Sequence, residues 1–532
     1  MNIKLLDCTL RDGGFVNDWE FGNSTIKYIF QRLVNSEIDI IEIGFLDERR
    51  EYDKNRSIFP NTASVEKVFG DVGVINNKIV AMIDYGTCNI ENICECDETF
   101  IDGIRIIFKK INMHKAIDFA EQLMKKGYFI TLQLVSITSY EDRDILEFCE
   151  AANKICPYGI AIVDTYGLMH KEQLHHYFEL LDYNLKKQIA IGYHSHNNFQ
   201  LAYANTIEMI DMKTNRELIL DGSVYGMGKS AGNAPIELLA MHLNEYYEKQ
   251  YKVNEILEII DACILPIQQR YKWGYSLEFF LSALNNCHPQ YINYLIKKST
   301  LSIDSVNEIV QKINNEKKLS YDEKYISNLY HKYIEKKFDD QKAIIELKKK
   351  LLGKSVLVLA PGKTISTKEE NIKYFIESND VIVLAVNFVP ENIAVDGIFI
   401  GNSKRYKEIA DRLHKNIGNR YIIATSNISL LNEKYSYVVN IENLLEKREN
   451  ISDNSTAMIL NLLILLDVKN IYLAGFDGYD LTNLEESYCD ESFNYSCDYE
   501  RLQKVNNEIR ARIKEVRKLK PLSFLTESIY KE

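Results

Sequence analysis

Two histidines one residue apart, His194 and His196 in Gly192-Tyr-His-Ser-His-Asn197, close an apolar run that reads as a buried strand. Side chains alternate across a strand with period two, so His-x-His projects both imidazoles to one face, where they can share a divalent cation with a carboxylate. The carboxylate candidate is Asp7, which ends a second apolar run beginning at Ile3 and leads through Cys8-Thr-Leu-Arg-Asp12 into Gly13-Gly14. Asn233, in a glycine loop further along, can orient or complete the ligand set. A cation held by Asp7, His194 and His196 keeps open positions for a bidentate 2-oxo acid such as pyruvate. As a Lewis acid it stabilises the enolate on which any aldol or retro-aldol step depends. Arg11, just beyond Asp7, offers a fixed positive donor to the same developing oxyanion. The mixed imidazole and carboxylate set favours Mn2+, with Mg2+, Co2+ and Zn2+ as the other divalent choices.

These residues need a scaffold that brings strand ends together. Eight short apolar runs alternate with helix-like segments in the first half of the chain: Ile3–Thr9, Ile38–Phe45, Lys78–Asp84, Gly103–Phe108, Phe129–Ser136, Gly159–Thr165, Ala190–His196 and Glu217–Val224. Segments such as Ser24–Ser36, Met113–Lys126 and Asp142–Ile155 carry helical patterning between them. The pattern predicts a (β/α)8 barrel over residues 1–240, with working residues where strands end. Asp7, Arg11, Asp84, Asp164, His194, His196 and Asp221 all fall at or just past such ends, whereas Arg105 lies inside its run. Asp12, Arg105 and Lys229 are the expected substrate contacts. Residues 241–350 read as a helical extension and connector, with helices at Leu238–Tyr246, Val253–Gln269, Ser276–Asn285 and Ser305–Asn314, and a solvated, charge-dense stretch from Glu316 to Lys350. Tyr275 and His288 in this extension are candidate catalytic groups.

From residue 351 to 532 strand–helix alternation restarts, at Lys354–Ala360, Val381–Val386, Gly397–Ile400, Arg420–Thr425, Tyr437–Asn440 and Asn470–Ala474. The expectation is a smaller, doubly wound, Rossmann-like α/β domain. Its first run leads into Ala360-Pro-Gly-Lys-Thr364, a turn before a helix of the kind that can hold phosphate. A Walker A loop needs an earlier glycine that is missing, so ATP hydrolysis is not expected. Gly362, Lys363, Asn387 and Asp477 are the candidate contacts for a nucleotide or sugar phosphate.

A net charge of -12 and a pI near 5.5 argue against a nucleic-acid partner, which requires a basic surface. Ten cysteines without a Cys-x-x-Cys pair, including Cys489 and Cys497 in an acidic, tyrosine-rich loop, fit a reduced protein. The longest apolar stretch, Ala457–Leu466, is too short to span a bilayer, and the first residues lack the pattern of a signal peptide. A cytoplasmic, soluble protein is expected.

Three motifs, Asp7-x-Thr9-Leu10-Arg11-Asp12-Gly13, His194-x-His196 and Gly226-x-Gly228-x-x-x-Gly232-Asn233, occur in barrel order. Together they resemble the pyruvate-handling, metal-dependent aldolase and lyase superfamily that includes 4-hydroxy-2-oxovalerate aldolase, hydroxymethylglutaryl-CoA lyase and isopropylmalate synthase. The continuation Asn233-Ala-Pro-Ile-Glu237 looks most like the hydroxy-oxovalerate aldolase branch. The resemblance covers residues up to about 300. It implies a metal on Asp7, His194 and His196, Arg11 as enolate stabiliser, Asp164 in the site, an aldehyde as second substrate, and a homo-oligomer. Aldolases of that branch place a catalytic histidine shortly after Arg-Asp-Gly, and here Phe15 stands in Gly14-Phe-Val-Asn-Asp18. Tyr275, His288, Asp18 or a metal-bound water would then take the proton, or the substrate differs. The glycine loop lacks the cysteine of the CoA lyases and the Glu-Arg pair of the isopropylmalate synthases. An acyl-CoA-dependent condensing synthase and a non-catalytic, ligand-binding barrel are the alternative readings. Leu473-Ala-Gly-Phe-Asp-Gly478, with Asn454-Ser-Thr-Ala457, resembles sugar-nucleotide-related and pterin-pyrophosphokinase-like domains of bacterial surface-glycan biosynthesis contexts.

Overall fold

A computed structural model describes residues 2–531 apart from 71, 74, 299, 319–320, 336–337, 416–419, 429–435, 480, 482–487 and 490–498. Cys497 lies outside the described residues. The chain divides into two compact units, Met1–Pro289 and Gln290–Glu532, so the helices expected between 241 and 350 are shared between them.

In the first unit each apolar run forms a strand: β1 (Asn2–Asp7), β2 (Ile40–Leu46), a two-residue edge piece β3 (Ile58–Phe59), β4 (Lys78–Asp84), β5 (Gly103–Ile107), β6 (Phe129–Leu134), β7 (Gly159–Asp164), β8 (Ala190–Ser195) and β9 (Glu217–Gly222). All pairings are parallel, in the order β1-β9-β8-β7-β6-β5-β4-β2-β3, and β1 also pairs with β2. That last pairing closes eight strands into a barrel. The strands are apolar on both faces because helices cover the outside and side chains fill the inside. Leu6, Ile40, Val80, Ala190 and Ile219 form a separate cluster that plugs the interior.

The covering helices are amphipathic. Met113–Lys125, for example, buries Met113, Ala116, Ile117, Ala120 and Leu123 at helical spacing. Asp142–Ile155 starts with a capping box between Glu141 and Asp144. The single helix expected at Val253–Gln269 is interrupted by a wider turn at Ile260–Ile264 before Leu265–Arg270. Pro266 has no N–H to give to the preceding turn, which loosens the ladder there.

The second unit holds a seven-stranded parallel sheet: β10 (Ser355–Leu359), β11 (Val381–Val386), β12 (Gly397–Ile400), β13 (Tyr421–Thr425), β14 (Tyr437–Val439), β15 (Asn470–Ala474) and β16 (Leu522–Phe524). Their order is β14-β13-β12-β11-β10-β15-β16. The chain therefore leaves β10 in one direction through β14 and returns to its other side with β15. β16 was not expected; three residues after Pro521 carry no periodic signal. The charged stretch read as a solvated connector is packed instead. Its helix Glu323–Ile334 buries Ile326, Tyr330, Tyr333 and Ile334, because apolar residues at helical spacing sit among the charges. Among the described residues, no helix is long and apolar enough to cross a membrane.

Candidate active site

The two histidines do face one way, and the structure brings Asp12 to them, not Asp7. Asp12 Oδ1 lies 4.0 Å from His194 Nε2 and Asp12 Oδ2 lies 3.6 Å from His196 Nε2, all three residues being buried. One ligand atom from each falls within 4.8 Å of the others, a spacing that suits a shared metal ion. Asp7 is fully buried elsewhere, its carboxyl accepting from Thr9 N at 3.0 Å and Thr9 Oγ1 at 2.7 Å. Asp12 reaches the histidines because the chain turns sharply after β1: Arg11 N and Asp12 N both donate to Cys8 O. Placing the ligand at the strand end overlooked that turn.

Each imidazole is oriented from behind. His194 Nδ1 pairs with Asp221 Oδ2 at 3.0 Å and His196 Nδ1 with the Asp164 carbonyl at 3.1 Å. Both partners accept, so the ring proton sits on Nδ1 and each Nε2 keeps a lone pair for a cation. Both Nε2 atoms are buried without a hydrogen-bond partner among the described residues, as is Asn233 Oδ1. Orphaned buried acceptors beside a carboxylate are what a metal would satisfy, so the donor set fits a divalent ion. Burial lowers the pKa of His194, assisted by the charge of Arg11, and keeps the ring neutral. Burial works against an ionised Asp12, but the charge of the adjoining Arg11 guanidinium more than offsets it and holds the carboxyl well below its usual range.

Arg11 is locked in place. Its Nε donates to Glu42 Oε2 at 2.7 Å and its Nη1 to Asp12 Oδ1 at 2.5 Å. Burial disfavours its charge, yet Glu42 and Asp12 raise its pKa further. Glu42 Oε2 also accepts from Arg105 Nη1 at 3.0 Å, and Arg105 Nη2 reaches Gln133 at 3.1 Å and Asp221. A continuous buried network thus runs from Arg11 through Glu42, Arg105 and Asp221 to His194. Arg105 is therefore a strut inside the barrel, not the substrate contact expected of it. Glu42 was missed by the sequence reading, although a carboxylate inside Ile40-Ile-Glu-Ile-Gly44 was a visible signal. With Asp12, the network holds two cationic and three anionic groups, a surplus of one negative charge for a cation to neutralise.

The glycine loop seals this arrangement. Asn233 Nδ2 donates to Asp12 Oδ2 at 2.9 Å, and Lys229 N donates to the same oxygen at 3.1 Å. Gly228 permits that approach, since a Cβ there would stand 2.4 Å from Asn233 Nδ2 and 2.6 Å from Asp12 Oδ2. The Lys229 ammonium lies 5.4 Å from the centroid of the Phe15 ring, which packs edge-on against Trp19 and Phe45. His288 is half-buried; burial and the charge of Lys229 lower its pKa and favour a neutral imidazole.

The other expected residues are placed differently. The Asp164 carboxylate accepts from Leu168 N and Met169 N, so it ties down its own loop and orients His196 through its carbonyl. Tyr275 is 64% exposed, two residues beyond Trp273, whose Nε1 donates to Tyr225 O at 3.2 Å. Asp18 pairs with Arg50 and Arg56. In the second unit, Asp477 Oδ2 accepts from Thr364 N at 2.8 Å, so the helix start read as a phosphate turn is already capped by a carboxylate, and Lys363 is exposed. Gly362, Asn387 and Asp477 border a cavity there.

Residues 2–262 match the model of the HMGL-like family. The chain is 24% identical to the oxaloacetate decarboxylase of Mycobacterium tuberculosis, covering 57% of this chain and 89% of that protein. It is 24% identical to the 2-isopropylmalate synthase of Saccharolobus solfataricus, covering 48% and 67% respectively. It is 26% identical to the 4-hydroxy-2-oxovalerate aldolase of Thermomicrobium roseum, covering 50% and 74%.

Proposed function

We propose that the barrel is an HMGL-like, metal-dependent carbon–carbon lyase that makes or breaks the bond between the carbon next to the keto group of a 2-oxo acid (C3) and its substituent carbon (C4), through a pyruvate-type enolate. The observation that carries this reading is the set of orphaned buried acceptors on His194, His196 and Asn233 beside the ionised Asp12. Asp12, His194 and His196 would hold the ion, with Asn233 adjoining, while Asp7, bonded to Thr9, stands outside the set. When bound, a divalent cation polarises the keto group and stabilises negative charge on its oxygen; Mn2+ remains the proposed ion.

The residues of the chain do the rest. Arg11, held by Glu42 and Asp12, presents a fixed guanidinium to the oxyanion that develops as the bond breaks, without reorganising. The buried rings of Trp19 and Phe45 cover one side of the Arg11 guanidinium, which lies 5.8 Å from the Phe45 ring centroid, with Phe15 packed edge-on at their outer, exposed margin. In the aldolase direction a base must take the proton of the hydroxyl on the carbon that leaves as an aldehyde. Phe15 cannot do this, and His288, held neutral by burial and the charge of Lys229, is the proposed group. Lys229 is the proposed contact for an anionic substrate group.

A second reading, decarboxylation of a 2-oxo diacid, is favoured by Phe15 itself. Loss of carbon dioxide leaves the same enolate but requires no base at a hydroxyl, and the oxaloacetate decarboxylase similarity points the same way. Both readings are tested by incubating the manganese-loaded protein with pyruvate in D2O and following deuterium in the methyl group by mass spectrometry. Metal-dependent exchange is expected. Oxaloacetate and 4-hydroxy-2-oxo acids supplied next decide between the two, and absence of exchange together with consumption of acetyl-CoA on a 2-oxo acid would replace them with a condensing synthase.

A further inference from the structure

The second unit contains a cavity of about 400 Å3 at a place where the topology predicts a ligand. In an open parallel sheet, adjacent strands whose connections leave in opposite directions splay their loops apart, and the crevice outside their C-terminal ends takes the ligand. Here that point lies between β10 and β15. The segments following both strands, Ala360–Gly362 and Gly475–Tyr479, line the cavity, together with the ends of β11 and β12 at Asn387 and Asn402. Its volume falls in the range of about 300–1,000 Å3 typical of pockets for small organic ligands.

The charge of the lining runs against that of the chain. A protein of net charge -12 brings Lys297, Lys404, Arg405 and Arg501 to this one cavity, against two acids, Asp453 and Asp477. Both oxygens of Asp477 accept from Thr364, through its amide and its hydroxyl, so that carboxylate is already committed. The cationic wall is built by relayed side-chain caps. Asn387, in the left-handed region at φ +59, accepts through Oδ1 from Gly401 N at 3.0 Å and Asn402 N at 3.3 Å. Asn402 Oδ1 in turn accepts from Lys404 N at 2.9 Å and Arg405 N at 3.1 Å. The end of β11 thereby fixes the end of β12 and the backbone of both cations. Arg405 is only 5% exposed, and its guanidinium lies 5.7 Å from the centroid of the Tyr488 ring. Tyr488, Tyr479 and Phe476 give the cavity flat aromatic walls beside its cations.

We propose that this cavity binds a nucleoside diphosphate or a ligand built on one, the diphosphate meeting Lys404, Arg405 and Arg501 and the base lying against the aromatic wall. The phosphate site is thus displaced from the turn at Gly362-Lys363 to the side of the crevice fixed by Asn387 and Asn402. This inference is independent of the barrel chemistry.

The test is calorimetric titration of the full chain with ADP, GDP, CDP and UDP, and with inorganic pyrophosphate as the probe of the anion alone. At least one nucleoside diphosphate is expected to bind at micromolar concentration, more tightly than pyrophosphate and more weakly as salt is raised. Lys404→Gln and Arg501→Gln, both outside the fully buried core, are each expected to weaken it at least tenfold while leaving the melting temperature of the chain unchanged. Absence of binding by all four at millimolar concentration, or equal affinity in both variants, would overturn the site. Pyrophosphate binding as tightly as the best nucleotide would overturn the assignment of the nucleoside.

Discussion

His194 Nδ1 and Asp221 Oδ2 are 3.0 Å apart in the barrel interior, and that contact decides which face of the imidazole remains open. Asp221 is itself held by Arg105, so His194 is positioned by a charge two residues removed from Arg11 in the same network. Replacing Asp221 with Asn keeps the shape but weakens the orienting bond and the basicity it lends to the ring. Metal affinity should fall roughly 10–100-fold with the circular dichroism spectrum retained. Unchanged affinity by titration would remove Asp221 from the site.

Arg11 is expected to matter as a fork and not only as a charge. Arg11→Lys keeps the cation but cannot bond Glu42, Asp12 and a developing oxyanion in one plane. Loss of one preorganised oxyanion donor typically costs about 2.7–4 kcal/mol, or roughly 10²–10³ in turnover. The exchange rate of pyruvate methyl protons should drop by that order while bound metal per chain stays the same. A full rate in the variant would exclude the proposed role.

Asp7 makes stability depend on pH. Burial, partly countered by the bonds from Thr9, raises its carboxyl from the ordinary 3.8 to about 7. The folded chain then keeps a proton that the unfolded chain releases, so this stabilisation is complete below pH 4 and is lost as the pH rises toward 7. A shift of this size corresponds to a contribution on the order of 4 kcal/mol. Asp7→Asn, which never ionises, should flatten the dependence of urea midpoints on pH between 4 and 7. An unaltered slope would show that Asp7 does not titrate there.

Arg216 stabilises the barrel away from its chemistry. Though 2% exposed, it lies in the loop before β9 and donates to the carbonyls of Asp182, Leu185, Lys186 and Ile189, besides its ion pair with Asp182. It thereby closes the C-terminal end of the helix Lys171–Asn184. Arg216→Met leaves those acceptors buried and unpaired, and a loss of about 3–5 kcal/mol is expected. Chemical denaturation measures it; a change under 1 kcal/mol would contradict this role.

The barrel was legible because its strands are short apolar runs between turn residues, and the period of two along a strand puts His194 and His196 on one face. The site around them was legible only in part. Asp7 ends a strand and looked like a ligand, whereas Asp12 gains its position from a turn through Cys8 that no periodicity reveals. Arg105 and Asp221 lie on β5 and β9, with three strands between them in either direction, and only barrel closure brings them together. In the second unit, Gly362-Lys363 resembled a phosphate turn, but the carboxylate that occupies the helix start comes from Asp477, more than a hundred residues later. Long-range contacts of this kind leave no local trace in a sequence.

The most direct test of the account compares metal bound per chain in Asp12→Asn and Asp7→Asn by elemental analysis after exhaustive dialysis against Mn2+, with pyruvate deuteration measured on the same samples. The geometry predicts that Asp7→Asn retains both metal and exchange, and that Asp12→Asn loses both while remaining folded. Metal and exchange retained in Asp12→Asn would contradict the assignment of Asp12, His194 and His196 as the centre.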